Sequence, residues 1–183
     1  MNLRSHIVKT YKTQFRKKKM KNDSVSLIIN NIATSFGIKK ADIWKRQFQD
    51  LEKWLQKRNF SVILEKGGED IVSWETDTIT IDSNPQWESR YYALLHECGH
   101  IIVNETIEFL EYNYPSCTNE TDGRKTKTDA YKISVVGEEI EAWKLGRNLG
   151  DHTLEHFIDH NKFDKMMTEC IMSYLYWATE EED

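Results

Sequence analysis

Three residues concentrate the chemistry of this chain: His96, Glu97 and His100, within His96-Glu97-Cys98-Gly99-His100. On an α-helix, a spacing of four residues turns about 40° and climbs about 6 Å, so both imidazoles leave one face and can hold one ion. Nitrogen donors so arranged suit Zn2+. Glu97 can reach a water on the open side of the ion and act as general base. A hydrolytic zinc centre takes three protein ligands and leaves the fourth position to water, so one ligand must come from elsewhere. Two groups stand downstream: the glutamates Glu138, Glu139 and Glu141, and the histidines His152, His156 and His160. At helical spacing Glu139 shares a stripe with Val135, Ala142 and Gly146, where small residues let two helices approach closely. Glu138 shares one with Val135, Ala142, Leu145 and Leu149, so both glutamates are candidates. Glu141 faces Gly137, Leu145 and Asn148 and reads as more exposed.

The motif has this meaning only on a helix, and its surroundings predict one. Trp87, Tyr91, Leu94, Leu95, Cys98, Ile101 and Ile102 recur at the spacing of one apolar face. Asn84-Pro85 supplies a cap and a proline suited to the first helical position. His96 and His100 fall beside the apolar stripe, next to Ala93 and Val103. Upstream, residues 61–65, 71–74 and 77–82 read as strands, with Gly67-Gly68 as the turn between the first two. They predict a small, mostly antiparallel sheet that leads into the motif helix. Earlier still, residues 23–36 and 41–58 read as helices, the second with Trp44, Phe48, Leu51 and Leu55 on one stripe and Asn59 at its end. Beyond the motif, residues 104–129 read as a long loop of the size used for lids, specificity loops or insertions without a role. Residues 129–150 read as a helix capped by Thr128 and stopped by Gly150, and one or two more helices cover 151–179. The fold class expected is α+β, the sheet packed with several further helices.

The chain has 183 residues, a net charge of −5 and 39% hydrophobic residues, with a mean hydropathy of −0.68. That suits a single domain over 23–183 behind an arm of residues 1–22. The arm carries eight Lys and Arg and no Asp or Glu, including Arg16-Lys17-Lys18-Lys19. It reads as a solvated terminus, or alternatively as a contact for nucleic acid or an acidic partner. No apolar run reaches the roughly 20 residues of a membrane span, and no signal-peptide core follows the basic start. No membrane association and a cytoplasmic location are therefore expected. The cysteines Cys98, Cys117 and Cys170 are odd in number and lack C-x-x-C spacing, which argues against a disulfide framework or a cysteine-based zinc site. Cys98 is expected to pack in the core.

Residues 91–103, taken with Glu139-Ile140-Glu141-Ala142-Trp143, resemble the gluzincin-like zinc metallopeptidases. The likeness is greatest to the small intracellular members of the ImmA/IrrE type, often encoded by phages or mobile elements. The resemblance implies a zincin-like fold. It implies an E-x-x-A pattern in which Glu139 is the third ligand, Ala142 is the alanine, and an Asp or Asn often follows; here Trp143 stands there. It also implies a His or Tyr that donates to the oxyanion, for which Tyr131, Tyr174, His152, His156 and His160 are candidates. The function so implied is a zinc endopeptidase acting on a specific intracellular protein. The alternative is a catalytically inactive zinc-binding regulator, or a host-directed binding module that uses the basic arm.

Overall fold

The computed structural model describes residues 37–106, 128–154 and 156–179. The basic arm, the helix expected over 23–36 and residues 107–127 of the long loop lie outside these. Four helices and a three-stranded sheet form an α+β fold: α1 (Lys40–Gln56), β1 (Ser61–Glu65), β2 (Ile71–Ser73), β3 (Thr78–Asp82), α2 (Trp87–Glu105), α3 (Asp129–Asn148) and α4 (His160–Thr179).

Helix α1 follows its periodicity: Trp44, Phe48, Leu51 and Leu55 are all buried. It stops at Gln56, two residues short of the expected 58, and a turn carries the chain to Asn59, whose φ of 67° is the left-handed conformation that Asn tolerates. The chain then enters the sheet, whose strand order is β1-β3-β2. Strand β3 is central because its alternation is the cleanest: Ile79 and Ile81 are fully buried against the helices. It pairs parallel with β1 and antiparallel with β2. The expected Gly67-Gly68 hairpin between β1 and β2 is therefore corrected. The hairpin joins β2 to β3, and the glycine turn instead begins a crossover between non-adjacent strands. Asp82 holds that turn by accepting hydrogen bonds from the backbone of Gly67 (2.8 Å) and Asn84 (2.9 Å). With one parallel and one antiparallel pair, the sheet is mixed rather than mostly antiparallel.

Helix α2 starts two residues later than Asn84-Pro85 suggests. Gln86 is its N-terminal boundary residue and no side chain caps it. It is also buried on nearly every side rather than along one stripe. Tyr91, Tyr92, Leu94, Leu95, Cys98 and Val103 are fully inaccessible. Helix α1 and the sheet cover one flank, and α3 covers the other.

The contact with α3 is unusually close. A β-carbon added at Gly99 would lie 1.9 Å from the carbonyl oxygen of Ala142, and one added at Gly146 would lie 2.0 Å from that of Leu95. The two helices thus interlock through reciprocal glycines, with backbone against backbone. Helix α3 begins as expected, with the Thr128 hydroxyl accepting from the backbone N–H of Tyr131 at 3.2 Å. It does not stop at Gly150, because residues Leu149–Thr153 continue as one π-helical turn. A segment without regular secondary structure follows. There the Gln47 side chain pairs with the backbone of Phe157 in both directions (3.0 and 2.7 Å), and Ile158 enters the core. Only then does α4 begin. No helix among the described residues is long and apolar enough to cross a membrane.

Candidate metal centre

Helix α2 presents His96 and His100 one turn apart, and the interlock lays α3 across them so that Glu139 faces both. His96 Nε2 and His100 Nε2 are 3.3 Å apart. One carboxylate oxygen of Glu139 lies 3.2 Å from His96 Nε2, and the other lies 3.6 Å from His100 Nε2. A tetrahedral zinc with bonds of about 2.0–2.1 Å separates its ligand atoms by about 3.3–3.4 Å. The two Nε2 atoms therefore stand at the separation such an ion requires, and each lies close to one of the two oxygens of Glu139.

The hydrogen bonding points the same way. Glu139 Oε2 is buried and makes no well-aligned hydrogen bond, although His96 Nε2 is 3.2 Å away, and His96 Nδ1 is likewise buried and unpaired. Buried polar atoms are nearly always satisfied. Two imidazole nitrogens and a carboxylate turned toward one point suit a cation better than they suit one another. His96, Glu97 and Glu139 are between 4% and 7% exposed, so water does little to compensate. The donor set of two nitrogens and one carboxylate oxygen fits Zn2+.

Protonation tells the same story for the ion-free site. Burial alone would lower the His100 imidazole, but the Glu138 and Glu139 carboxylates override it and push it up to about 10. Burial works in the opposite sense on Glu139, yet His100 and His96 pull it down to about 2. His96 is lowered by burial, with Glu139 opposing.

The structure separates the two glutamates between which the sequence left the choice open. Glu139 faces the inward Nε2 atoms. Glu138 lies behind, its carboxylate 3.5 Å from His100 Nδ1. That is the place of a supporting carboxylate, which fixes the tautomer and aims Nε2 inward. Glu141 takes no part and pairs with Lys144 at 2.6 Å. At Trp143, where the resemblance leads one to expect Asp or Asn, the indole stacks on His96, with ring centroids 4.4 Å apart and planes 18° from parallel. His96 is therefore oriented by a flat apolar wall where a hydrogen bond would otherwise serve.

Glu97 lies beside the donors, its carboxylate 4.0 Å from His96 Nε2. Burial raises it to about 7, a value suited to taking and returning a proton near neutrality. The whole group opens into a cavity of about 510 Å³. Its walls include Tyr131 from α3, and Cys170 and Tyr174 from α4. Asp70, Ile71, Val72 and Trp74 line it around β2. Strand β2 is an edge strand, and Ile71 and Trp74 are about half exposed. Burial and the Glu139 carboxylate raise the Tyr174 phenol well above its usual value, so it stays protonated and able to donate.

His152, His156 and His160 do not line this cavity. The expected ladder on one helix face is broken into a π-helical turn (His152), a segment without regular secondary structure (His156) and the first residue of α4 (His160). His156 Nδ1 shares a hydrogen bond with the Tyr91 hydroxyl at 3.1 Å, and His160 lies 3.5 Å from Asp151. Of the five oxyanion candidates, only Tyr131 and Tyr174 line the cavity. Cys170 is the site residue that sequence reasoning missed: its sulfur lies within 4.8 Å of donor atoms of both His96 and Glu139. Its position two turns beyond Phe163, on an apolar face, gave no chemical signal. Cys98 is fully buried, as expected. No family model, curated protein or solved structure matches this chain, so the reading of the site rests on its geometry and on the motif.

Proposed function

We propose that this chain is a zinc-dependent endopeptidase of the gluzincin-like kind, with His96, His100 and Glu139 as metal ligands and Glu97 as general base. The observation that carries the reading is the mutual approach of His96 Nε2, His100 Nε2 and the Glu139 carboxylate, 3.2–3.6 Å from one another, beside Glu97. His96, His100 and Glu139 would hold a zinc ion, which would supply a Lewis acid to polarise a carbonyl and lower the pKa of water. Glu97 takes the proton of the attacking water and delivers it to the departing amine, after which it is again a carboxylate. Tyr174, kept protonated beside Glu139, donates to the carbonyl oxygen as negative charge develops on it, and Tyr131 is its alternative. Glu138 holds His100 and Trp143 holds His96 in line throughout. An extended peptide adds to the free edge of β2, which brings its backbone along the cavity wall, with Ile71 and Trp74 as apolar contacts. The substrate is expected to be a specific intracellular protein.

Replacing the base tests the reading. Glu97→Gln is expected to retain one zinc by elemental analysis and to lose peptide cleavage by roughly 10²–10⁴-fold. The same variant, used as a trap on a lysate, should retain the substrate for identification. Undiminished turnover by Glu97→Gln on a verified substrate would overturn the assignment. Zinc binding without chelator-sensitive cleavage of any retained protein would favour a binding module instead.

A further inference from the structure

The zinc site proposed above has a fourth potential ligand in Cys170. Three helices meet at the site: α2 brings two imidazoles, α3 a carboxylate, and α4 a thiol. The Cys170 sulfur lies no more than 4.8 Å from donor atoms of both His96 and Glu139. In a four-coordinate zinc site with Zn–S of about 2.3 Å and Zn–N of about 2.0–2.1 Å, a sulfur and a nitrogen ligand stand about 3.6 Å apart. The sulfur is thus at most roughly 1.2 Å beyond that spacing, a distance that rotation about one side-chain bond spans.

Helix α4 is held in place for this. Phe163 is fully buried and meets Trp143 edge-on at 5.1 Å, while Arg147 pairs with Asp164. Seven residues is two turns, so Cys170 returns to the face that Phe163 anchors. Met166 and Tyr174, one turn to either side, line the same cavity. A second observation points to a ligand: Glu139 is only 7% exposed, yet its Oε2 makes no well-aligned hydrogen bond, although it faces His96 Nε2 at 3.2 Å.

We infer that Cys170 closes the metal site in the resting protein, its thiolate occupying the fourth position that substrate and water must take for hydrolysis. On ligation the S–H proton passes to solvent and a metal–sulfur bond forms; reversal returns the proton to sulfur. No oxidation is involved. With Glu139 and a thiolate both bound, a divalent ion is formally neutralised, whereas the three-ligand site keeps a charge near +1. The closed form is therefore a poor Lewis acid, and the Cys170 side chain acts as a latch: its rotation off the ion opens the fourth position while α4 keeps Tyr174 in place. This inference rests on the zinc reading above.

Cobalt(II) separates the two. The metal-free full chain is titrated with Co2+ and followed by absorption. Visible d–d bands report a cobalt held by nitrogen and oxygen ligands, and a near-ultraviolet sulfur-to-cobalt charge-transfer band reports a bound thiolate. Wild-type protein is expected to show both with one equivalent of cobalt. Cys170→Ser and Cys170→Ala should each keep the visible bands, lose the charge-transfer band, and bind at least about 10-fold more weakly. A Cys98→Ala/Cys117→Ser variant should keep both features. Visible bands without charge transfer in the wild type overturn the role of Cys170 and leave the three-ligand site standing. A charge-transfer band that survives in both Cys170 variants also overturns it. Absence of any cobalt band in the wild type overturns the metal site itself, and the latch with it.

Discussion

Two sets of histidines in this chain share one spacing and meet opposite fates. His96 and His100 stand four residues apart, and so do His152, His156 and His160. The first pair lies on one unbroken helix and its Nε2 atoms come within 3.3 Å. The second set is distributed over three kinds of backbone and faces separate partners, Tyr91 for His156 and Asp151 for His160. A spacing of four is evidence of convergence only if the residues between are helical. Around His96 they must be, because Leu94, Leu95 and Cys98 occupy the core. After Gly150 the core takes Ile158 instead, Gln47 binds the backbone of Phe157, and the helix is interrupted.

The strongest way to break the comparison is to remove the group that turns the first pair into a site. Glu139→Gln removes a charged ligand and is expected to abolish stoichiometric zinc binding at micromolar metal, as measured by elemental analysis after dialysis. Glu138→Gln, one residue away, should weaken binding by only about 10–100-fold, because it acts through His100. Equal losses for the two would erase the distinction between ligand and support.

Next in size is the interlock. Gly146→Ala places a β-carbon 2.0 Å from the Leu95 carbonyl oxygen, so α3 must move away from α2. We expect a loss of about 1–3 kcal/mol in urea unfolding, with weakened zinc binding even though every ligand remains. Unchanged zinc affinity would mean that the approach of the helices does not set the site.

Proton linkage sharpens the contrast further. In the metal-free protein His100 is raised to about 10 from an ordinary 6.5. A raised folded value contributes stability that is complete below about pH 6.5 and is lost as pH rises through 10. Glu97, raised to about 7 from 4.5, adds a loss between those values as its buried carboxyl ionises. Glu139, lowered to about 2, contributes above 4.5 and loses that contribution only as pH falls toward 2. Chelator-treated protein should therefore lose stability between pH 6.5 and 10 in urea titrations, and zinc-loaded protein should not. Parallel profiles would show that His100 keeps its proton with zinc present. The smallest effect belongs to the other histidines: His152→Ala/His160→Ala should leave zinc stoichiometry and affinity unchanged.

The motif, the glutamate cluster that follows it and most element positions were legible in the sequence because each is a local property. Periodicity marks α1, Ile79 and Ile81 mark β3, and small residues at Ala142 and Gly146 mark the face of α3 that can lie close to a neighbour. Strand order was not legible. Gly67-Gly68 is as good a turn for a hairpin as for a crossover, and only the burial of β3 between two edges decides. Glu138 and Glu139 could not be told apart by stripe alone, since both flank the same small residues; the angle at which α3 crosses α2 sends one to Nε2 and the other to Nδ1. Trp143 read as a missing polar partner, and the fold uses it as a stacking wall. By itself, then, the sequence determined which residues can do chemistry and on which helices two of them must ride. Tertiary structure alone decided which glutamate meets them, which histidines never do, and that Cys170 lies within reach. Spacing along a chain constrains neighbours within one element, whereas meetings between elements depend on how their surfaces pack.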